Sequence, residues 1–301
     1  MRPLVRPLAV ALALCAGTAA ADPYDFDLYK LGNTFQGGTN YDINANARYR
    51  VVMRQLAAAM TAVNLAPPET LGHAAFAISA DLQVVNIDNA TVGGSEVRLP
   101  LEGDFKGPLL IPSVHIRKGL PWSFELGARV GWIEKSRMPV GTLELKFAIN
   151  EGFTYLPDIG IRAHINKLLN SRDFDLTTGG FDLGLGKQFA IGGMITVTPY
   201  AGWNLAFVGS STSNVDFNPT RSLADSEAGQ VFRDVYTFKP LVASENTHNR
   251  FYGGGRFISG ALMISAELSY TVIGTFNYAP TGQTVEVPGV FSFNSSLGLD
   301  F

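Results

Sequence analysis

The sequence has few of the side chains on which thiol chemistry and metal binding depend. Its 301 residues include a single cysteine, Cys15, and four histidines, so neither a cysteine-ligated metal nor a histidine cluster is indicated. Charged residues make up only 16% of the chain and the net charge is -3, which gives no reason to expect a nucleic-acid partner. After the first residues, no run reaches the roughly 18 consecutive apolar residues of a membrane helix. These absences predict a protein without a cofactor or a metal site.

Glycine and aromatic residues are abundant instead, with 32 Gly, 20 Phe, 10 Tyr and 3 Trp. Residues 121–133 (PWSFELGARVGWI) show how they are used, because every second position is apolar. Side chains alternate between the two faces of a strand, so this strand has one apolar face and one polar or small face. Trp122 and Trp132 lie at the ends of the apolar face, the order expected of a strand that crosses a bilayer. The chain is therefore predicted to be all-β.

The first 21 residues are predicted to be a cleaved signal peptide. Arg2 and Arg6 form a basic region, residues 8–16 a short apolar run, and residues 19–21 a small-residue cleavage site. Lipid attachment to Cys15 is disfavoured because Leu14 stands where a small residue is needed. The mature chain then has no cysteine, which suits an oxidising export compartment.

Residues 22–72 are predicted to form an N-terminal periplasmic segment with one amphipathic helix at about 46–64. Leu56 and Met60 lie on its apolar face, and Pro67-Pro68 is expected to stop it. Three positions are open for this helix: against the rim of a barrel, inside the barrel as a plug, or on a membrane surface. Packing at the rim or in the interior is favoured, because most helical stability comes from packing an apolar face.

Residues 73–301 repeat the alternating pattern and are predicted to form an antiparallel transmembrane β-barrel of ten strands. The strands are expected at about 74–85, 109–117, 121–133, 139–149, 155–167, 173–189, 194–208, 249–259, 261–275 and 289–301. In the sixth strand, Phe174 and Leu176 share one phase whereas Phe181 and Leu183 share the other, so a bulge is expected at Gly179-Gly180. A twelve-stranded barrel that uses residues 231–242 in an extra hairpin is the main alternative.

The connections between these strands fall into two groups. Short ones are expected near 118–121, 150–154, 191–193 and 259–260, and long ones near 86–108, 209–248 and 276–288. In an antiparallel barrel of ten strands, the two groups fall at opposite ends. Long loops outside and tight turns inside are the arrangement of bacterial membrane barrels.

A cleavable signal, amphipathic antiparallel strands, short turns and a last strand that ends in Phe301 resemble bacterial outer-membrane β-barrel proteins. The resemblance covers about residues 73–301 and is to the class rather than to one family. It implies a location in the outer membrane of a Gram-negative envelope, with outer-membrane lipids around the barrel. It also implies that the barrel-assembly machinery reads Phe301 as an assembly signal. The N-terminal helix departs from the simplest small barrels.

The polar faces of the strands are assigned to the lumen, where acidic and basic side chains balance. The lumen-lining set is Asp81, His115, Arg117, Glu125, Arg129, Glu144, Lys146, Asp158, Arg162, His164, Asp182, Arg250, Arg256 and Glu267. Balanced charges suit either an ion-pair network that fills a narrow interior or a polar conduit that selects solutes. Ten strands enclose a lumen between the filled small barrels and the open 16-stranded porins, and this size favours a filled or nearly filled lumen.

The predicted function is porin-like passage of small solutes, gated by the N-terminal helix, because a polar lumen across a lipid barrier has an obvious use. The alternative is a structural or interaction barrel with a filled lumen, whose loop at 209–248 meets a surface partner. No enzymatic activity is predicted. His248 with Glu245, and His164 with Asp173, are conceivable catalytic pairs, but neither lies in a catalytic motif.

Overall fold

Ten antiparallel strands close into one barrel. The computed structural model describes residues 22–35, 41–104, 107–192, 195–218 and 235–301, and the predicted signal peptide lies outside them. The strands are β1 (Phe76–Asn86), β2 (Leu109–Leu120), β3 (Phe124–Trp132), β4 (Pro139–Asn150), β5 (Asp158–Leu168), β6 (Phe174–Gly186), β7 (Ile195–Thr212), β8 (Thr247–Ser259), β9 (Leu262–Val272) and β10 (Val290–Asp300). Each strand pairs with the next, and β10 pairs with β1, so the sheet closes. The predicted ten-stranded barrel is confirmed.

The two ends of the barrel differ in their connections. At one end, called the short-turn end, residues 121–123, 151–157, 187–194 and 260–261 join the strands. At the other, called the long-connection end, the strands are joined by residues 87–108, 133–138, 169–173, 213–246 and 273–289. Val235–Tyr236 pairs with Val215–Asp216 and not with the barrel sheet, whereas Phe189–Ile191 adds a short piece beside β7. Of the extra hairpin in the twelve-stranded alternative, residues 231–234 lie outside the described residues, and the rest adds no barrel strand.

The outer surface of the barrel is apolar. Alternate residues of every strand point outward, and large ones such as Leu126, Val130 and Leu143 are more than half exposed. A surface of this kind is unfavourable in water and suits the hydrocarbon region of a bilayer. Within the described residues, no helix is long and apolar enough to cross a membrane.

One α-helix, α1 (Ala45–Met60), lies at the long-connection end, and it ends four residues earlier than predicted. The backbone N–H and side-chain hydroxyl of Thr61 both bond to the carbonyl of Ala57, and Thr61 then takes a non-helical conformation. Burial covers nearly the whole circumference of α1, including Arg54 and Gln55. The helix is therefore packed inside protein, and its polar side chains need protein partners.

The prediction of a bulge in the sixth strand is wrong. The pairings of β6 with β5 and with β7 run without a register shift through Gly179 and Gly180. Phe174 and Leu176 therefore point inward, on the same face as Asp182. Phe174 meets Phe26 of the N-terminal segment edge to face, with ring centroids 5.5 Å apart. The apolar phase changes along the strand because the inside of the barrel changes from apolar to polar.

The interior thus has two layers. At the long-connection end, inward residues of the strands join α1 and the N-terminal segment in one apolar core, among them Val85, Ile111, Val140, Leu168 and Val208. Towards the short-turn end, the inward residues are the charged and polar ones. The apolar layer, at the long-connection end, holds the helix in place by burial. The polar layer, towards the short-turn end, contains the candidate functional site.

Candidate functional site: the filled lumen

The polar part of the lumen is occupied by residues 61–72, which we call the lumen segment. This segment connects α1, at the long-connection end, to β1, which begins at the short-turn end. It has no helix or strand of its own, and residues 61–66 are buried. Its backbone groups consequently need hydrogen-bond partners from the barrel wall.

Three arginines of the wall bind the first carbonyls of the lumen segment. Arg250 donates to the carbonyls of residues 61 and 62, at 2.9 Å for the first. Arg162 donates to those of residues 62 and 63 at 3.0 and 3.2 Å, and Arg129 donates to that of residue 63 at 2.8 Å. These carbonyls follow the C-terminus of α1, where the helix dipole attracts cations. The first residues after the helix are therefore surrounded by three buried guanidinium groups.

Further along, the wall binds the lumen segment through both signs of charge. Lys146 donates to the carbonyls of residues 67 and 69 at 3.2 and 3.3 Å, and the carboxylate of Glu69 pairs with Arg256. Glu267 accepts a hydrogen bond from the N–H of residue 65 at 3.0 Å, and Glu125 from that of residue 71 at 2.9 Å. Five of the six basic side chains assigned to the lumen thus contact the segment.

The wall also pairs with itself. Glu144 lies 2.7 Å from Nε2 of His115 and accepts a hydrogen bond from Arg162 at 2.8 Å. Arg162 also reaches Asp182 through two nitrogens, at 3.0 and 2.9 Å. Asp81 lies 3.3 Å from Nε of the Arg129 guanidinium. Each of these charges therefore has an opposite charge or a hydrogen-bond partner where bulk water cannot reach it.

The remaining predicted lumen residues have more local partners. Arg117 lies 3.7 Å from Glu125 and donates to the sulfur of Met263 at 3.3 Å. Asp158 accepts a hydrogen bond from the N–H of residue 152 at 2.9 Å. His164 lies 2.7 Å from the amide nitrogen of Asn204. All fourteen residues assigned to the lumen are between 1% and 6% exposed.

The lumen segment fits the wall because several inward wall residues are glycines. A Cβ on Gly160 would lie 2.5 Å from the carbonyl oxygen of Pro68, and one on Gly186 would lie 2.8 Å from Pro68 Cδ. A Cβ on Gly119 would collide with the carbonyl oxygen of Gly72. Side chains at these positions would exclude the segment, so the absence of side chains on inward strand positions is the sequence signal that could have located it.

The structure does not place the two residues of either conceivable catalytic pair in contact. His164 lies 3.7 Å from Asp182, on the neighbouring strand, and no contact joins it to Asp173 among the described residues. His248 is buried inside the barrel, whereas Glu245 is exposed on a short helical turn. A buried histidine closed off from solvent cannot meet a substrate in this arrangement.

Residues 22–35 and 41–60, called the cap, lie over the long-connection end. The N–H of Asp27 donates to the carbonyl of Pro100 at 2.6 Å, and Lys30 donates to that of Leu101 at 2.7 Å. Burial raises the pKa of Asp27 to about 6, although Lys30, whose ammonium lies 3.5 Å away, acts in the opposite direction. The cap therefore contains a carboxyl group whose proton is lost near pH 6.

The cap and the long connections lie at the same end of the barrel. The sequence predictions placed residues 22–72 in the periplasm and the long loops outside. Because Tyr24, Asp27 and Lys30 of the cap bond to residues 135, 100 and 101 of the long connections, these two placements are incompatible.

No protein-family model matches the chain, and no curated protein matches it. Solved structures with similar architecture include the outer-membrane protease OmpT of Escherichia coli (TM-score 0.38, 8% identity, covering 80% of this chain and 99% of that one). An outer-membrane channel of Pseudomonas putida F1 has a TM-score of 0.38 and 10% identity, covering 80% of this chain and 100% of that one. The attachment invasion locus protein Ail of Yersinia pestis has a TM-score of 0.28 and 10% identity, covering 76% of this chain and 99% of that one.

The closed antiparallel barrel, together with its apolar outer surface, defines the chain as a bacterial outer-membrane β-barrel protein. Its place is the outer membrane of the Gram-negative envelope. The barrel-assembly signal assigned to Phe301 stays a prediction; the residue is 66% exposed at the short-turn end.

Proposed function

We propose that this protein is an outer-membrane barrel with a permanently filled lumen, which acts through the surface at its long-connection end and not by conducting solutes. The observation that supports this most is the bonding of five of the six basic lumen side chains to the lumen segment. An aqueous conduit would leave the side chains that line it accessible to water, whereas these are almost wholly buried.

Porin-like passage, the competing function, would require the lumen segment to leave. Its departure would remove the hydrogen-bond partners of Arg250 and the ion-pair partner of Arg256, and it would leave Lys146 with Glu125 alone. Glu267 and Glu125 would each lose a backbone N–H donor. Removing one partner of a buried ion pair, here Arg256 and Glu69, costs about 3–5 kcal/mol, and leaving a buried polar or charged group without its hydrogen-bond partner costs about 1–3 kcal/mol or more. Several such losses together exceed what a small solute can supply on binding.

The cap is suited to interaction because α1 joins three of the long connections into one body. Gln55 donates to the carbonyl of Asp88 at 2.7 Å, and Arg54 donates to that of Ile273 at 2.6 Å. The hydroxyl of Tyr49 lies 2.7 Å from that of Ser210, and its ring stacks on Phe238. Ordered surface connections held by a rigid scaffold are common binding elements. A partner at the cell surface is therefore the proposed ligand, and no catalytic role is proposed.

Planar-bilayer recording of the purified full-length protein tests the filled lumen. We expect no discrete conductance from protein whose heat-modifiable gel mobility shows that it is folded. An open porin reconstituted in the same lipid verifies that the recording detects channels. A deletion of residues 46–64 that keeps folded mobility and opens a conductance would show that these residues close the lumen. Discrete conductance from the intact protein would refute the proposal.

A further inference from the structure

We propose that the mature N-terminus lies outside the cell, and that the lumen segment is a tether that carries the chain back through the membrane to start the barrel. The cap, residues 22–35 and 41–60, would then be displayed on the cell surface. The inference rests on the proposed function in one respect, since both take the lumen segment to lie inside the folded barrel.

The position of the N-terminal residues comes first in the argument. The N–H of Tyr24 donates to the carbonyl of Lys135 at 2.9 Å, and the N–H of Arg137 donates to Asp25 at 2.9 Å. Both partners belong to the connection 133–138, at the long-connection end. Tyr278, in another long connection, donates to the carbonyl of Ile43 at 2.7 Å. The N-terminal segment is thus bound to the long connections at both its beginning and its end.

The other end of the lumen segment is equally well placed. The N–H of Thr70 donates to Glu151 at 2.8 Å, and Lys118 donates to the carbonyl of Ala74. Glu151 and Lys118 lie at or beside the short-turn end. Wall contacts made by residues 61–63, by residues 65–69 and by residues 70–72 follow one another down the barrel. The segment therefore passes through the barrel from one side of the membrane to the other.

Its length fits this role. Twelve extended residues reach at most roughly 40 Å. The apolar band of an outer-membrane barrel is about 25 Å tall. Residues 61–72 can therefore cross the band with length to spare, and the short turns then face the periplasm while the long connections and the cap face outward.

This topology constrains the order of events when the barrel assembles. The closed sheet surrounds the lumen segment, and α1 with its side chains is about 10–12 Å wide. Residues 22–60 must therefore pass to the outer side before the strands close, or while they close. The exported chain would carry its own N-terminus across the membrane as part of folding.

Cysteine labelling on intact cells tests the inference, because the mature chain has no cysteine and Cys15→Ser removes the one in the signal region. Tyr41→Cys reports on the cap, Ser95→Cys on a long connection and Thr154→Cys on the short-turn end; all three positions are exposed. The probe is a maleimide coupled to a polyethylene glycol chain too large to pass through porins. Ile43→Cys, also exposed, is a second cap reporter if Tyr41→Cys does not fold.

We expect the cap reporter and Ser95→Cys to be labelled on intact cells, and Thr154→Cys to be labelled only after the outer membrane is permeabilised. A cap reporter that behaves like Thr154→Cys, while Ser95→Cys is labelled throughout, would overturn the inference. The two proposals fail separately. A silent barrel with a periplasmic N-terminus would overturn only the tether, and a conducting barrel with an external N-terminus would overturn only the permanent filling.

Discussion

Replacing Arg162 with methionine should destabilise the barrel far more than replacing Lys167 with methionine. The two residues are matched, because both lie on β5 and both pair with a carboxylate at 2.9 Å. They differ in their surroundings. Arg162 and its partner Asp182 are buried in the lumen, whereas the side chains of Lys167 and Asp175 are 52% and 51% exposed.

The size of the difference follows from the partners that each substitution leaves behind. Without Arg162, Asp182 loses its arginine partner, Glu144 keeps His115, and the carbonyls of residues 62 and 63 each lose one of two arginine donors, all in a place closed to water. Breaking a buried ion pair costs about 3–5 kcal/mol, and an exposed pair contributes about 0–1 kcal/mol. At about 1.4 kcal/mol for a factor of ten, the folded-to-unfolded ratio should fall by roughly two to four orders of magnitude for Arg162→Met. For Lys167→Met it should fall less than about tenfold.

The assay is urea unfolding of the protein in lipid vesicles, followed by tryptophan fluorescence and by heat-modifiable gel mobility. Both variants are compared with the parent protein in the same lipid, because stability here depends on the bilayer. Equal losses for the two variants would refute the reasoning, since they would mean that water reaches Arg162 as freely as it reaches Lys167.

Other substitutions probe the wall, the lipid face and the cap. Gly160→Ala should destabilise by about 1–3 kcal/mol through contact with Pro68, whereas Gly255→Ala, with no neighbouring atom within 4 Å, should not; urea midpoints check this. Leu126→Arg should cost about 2–4 kcal/mol on the lipid face, with Leu126→Met as control, and refolding yield into vesicles measures it. Because the pKa of Asp27 is raised to about 6 in the folded cap, cap stability should increase as pH falls from above 6 towards 4. Protection factors for hydrogen exchange of residues 22–35, which correct for the intrinsic pH dependence of exchange, should be higher at pH 5 than at pH 7.5, and Asp27→Asn should remove that difference.

The strands could be predicted from sequence because the membrane imposes one simple rule. Outward residues must be apolar over the height of the bilayer, so the alternation is visible in single strands such as β3. Even the boundaries of β4, expected at 139–149 and found at Pro139–Asn150, follow from it. The rule holds only for the part of the barrel within lipid. The long-connection end has an apolar interior, so the inward positions of Phe174 and Leu176 broke the expected pattern and suggested a bulge that does not exist.

The contents of the lumen could not be predicted because they depend on contacts between distant parts of the chain. The helical spacing continued to Val63, and a local pattern gave no reason to end the helix at Met60. Its end is explained by Arg129, Arg162 and Arg250, which belong to three different strands and bind the carbonyls that follow. Pro67-Pro68 is predicted to stop the helix, but the helix ends before it. In the structure, Pro68 instead packs closely against Gly160 and Gly186 of the barrel wall.

The charged lumen acquires a physical explanation from the lumen segment. A chain without helix or strand in a place closed to water has backbone N–H and C=O groups that it cannot satisfy by itself. Arginine and lysine supply donors for its carbonyls, and Glu267 and Glu125 supply acceptors for its N–H groups. Acidic and basic side chains are then needed in similar numbers, because an excess of either would leave buried charges unpaired. From sequence alone, the balanced lumen charge suits a conduit as well as an ion-pair network. In the structure, these charged side chains take the place of water around the lumen segment.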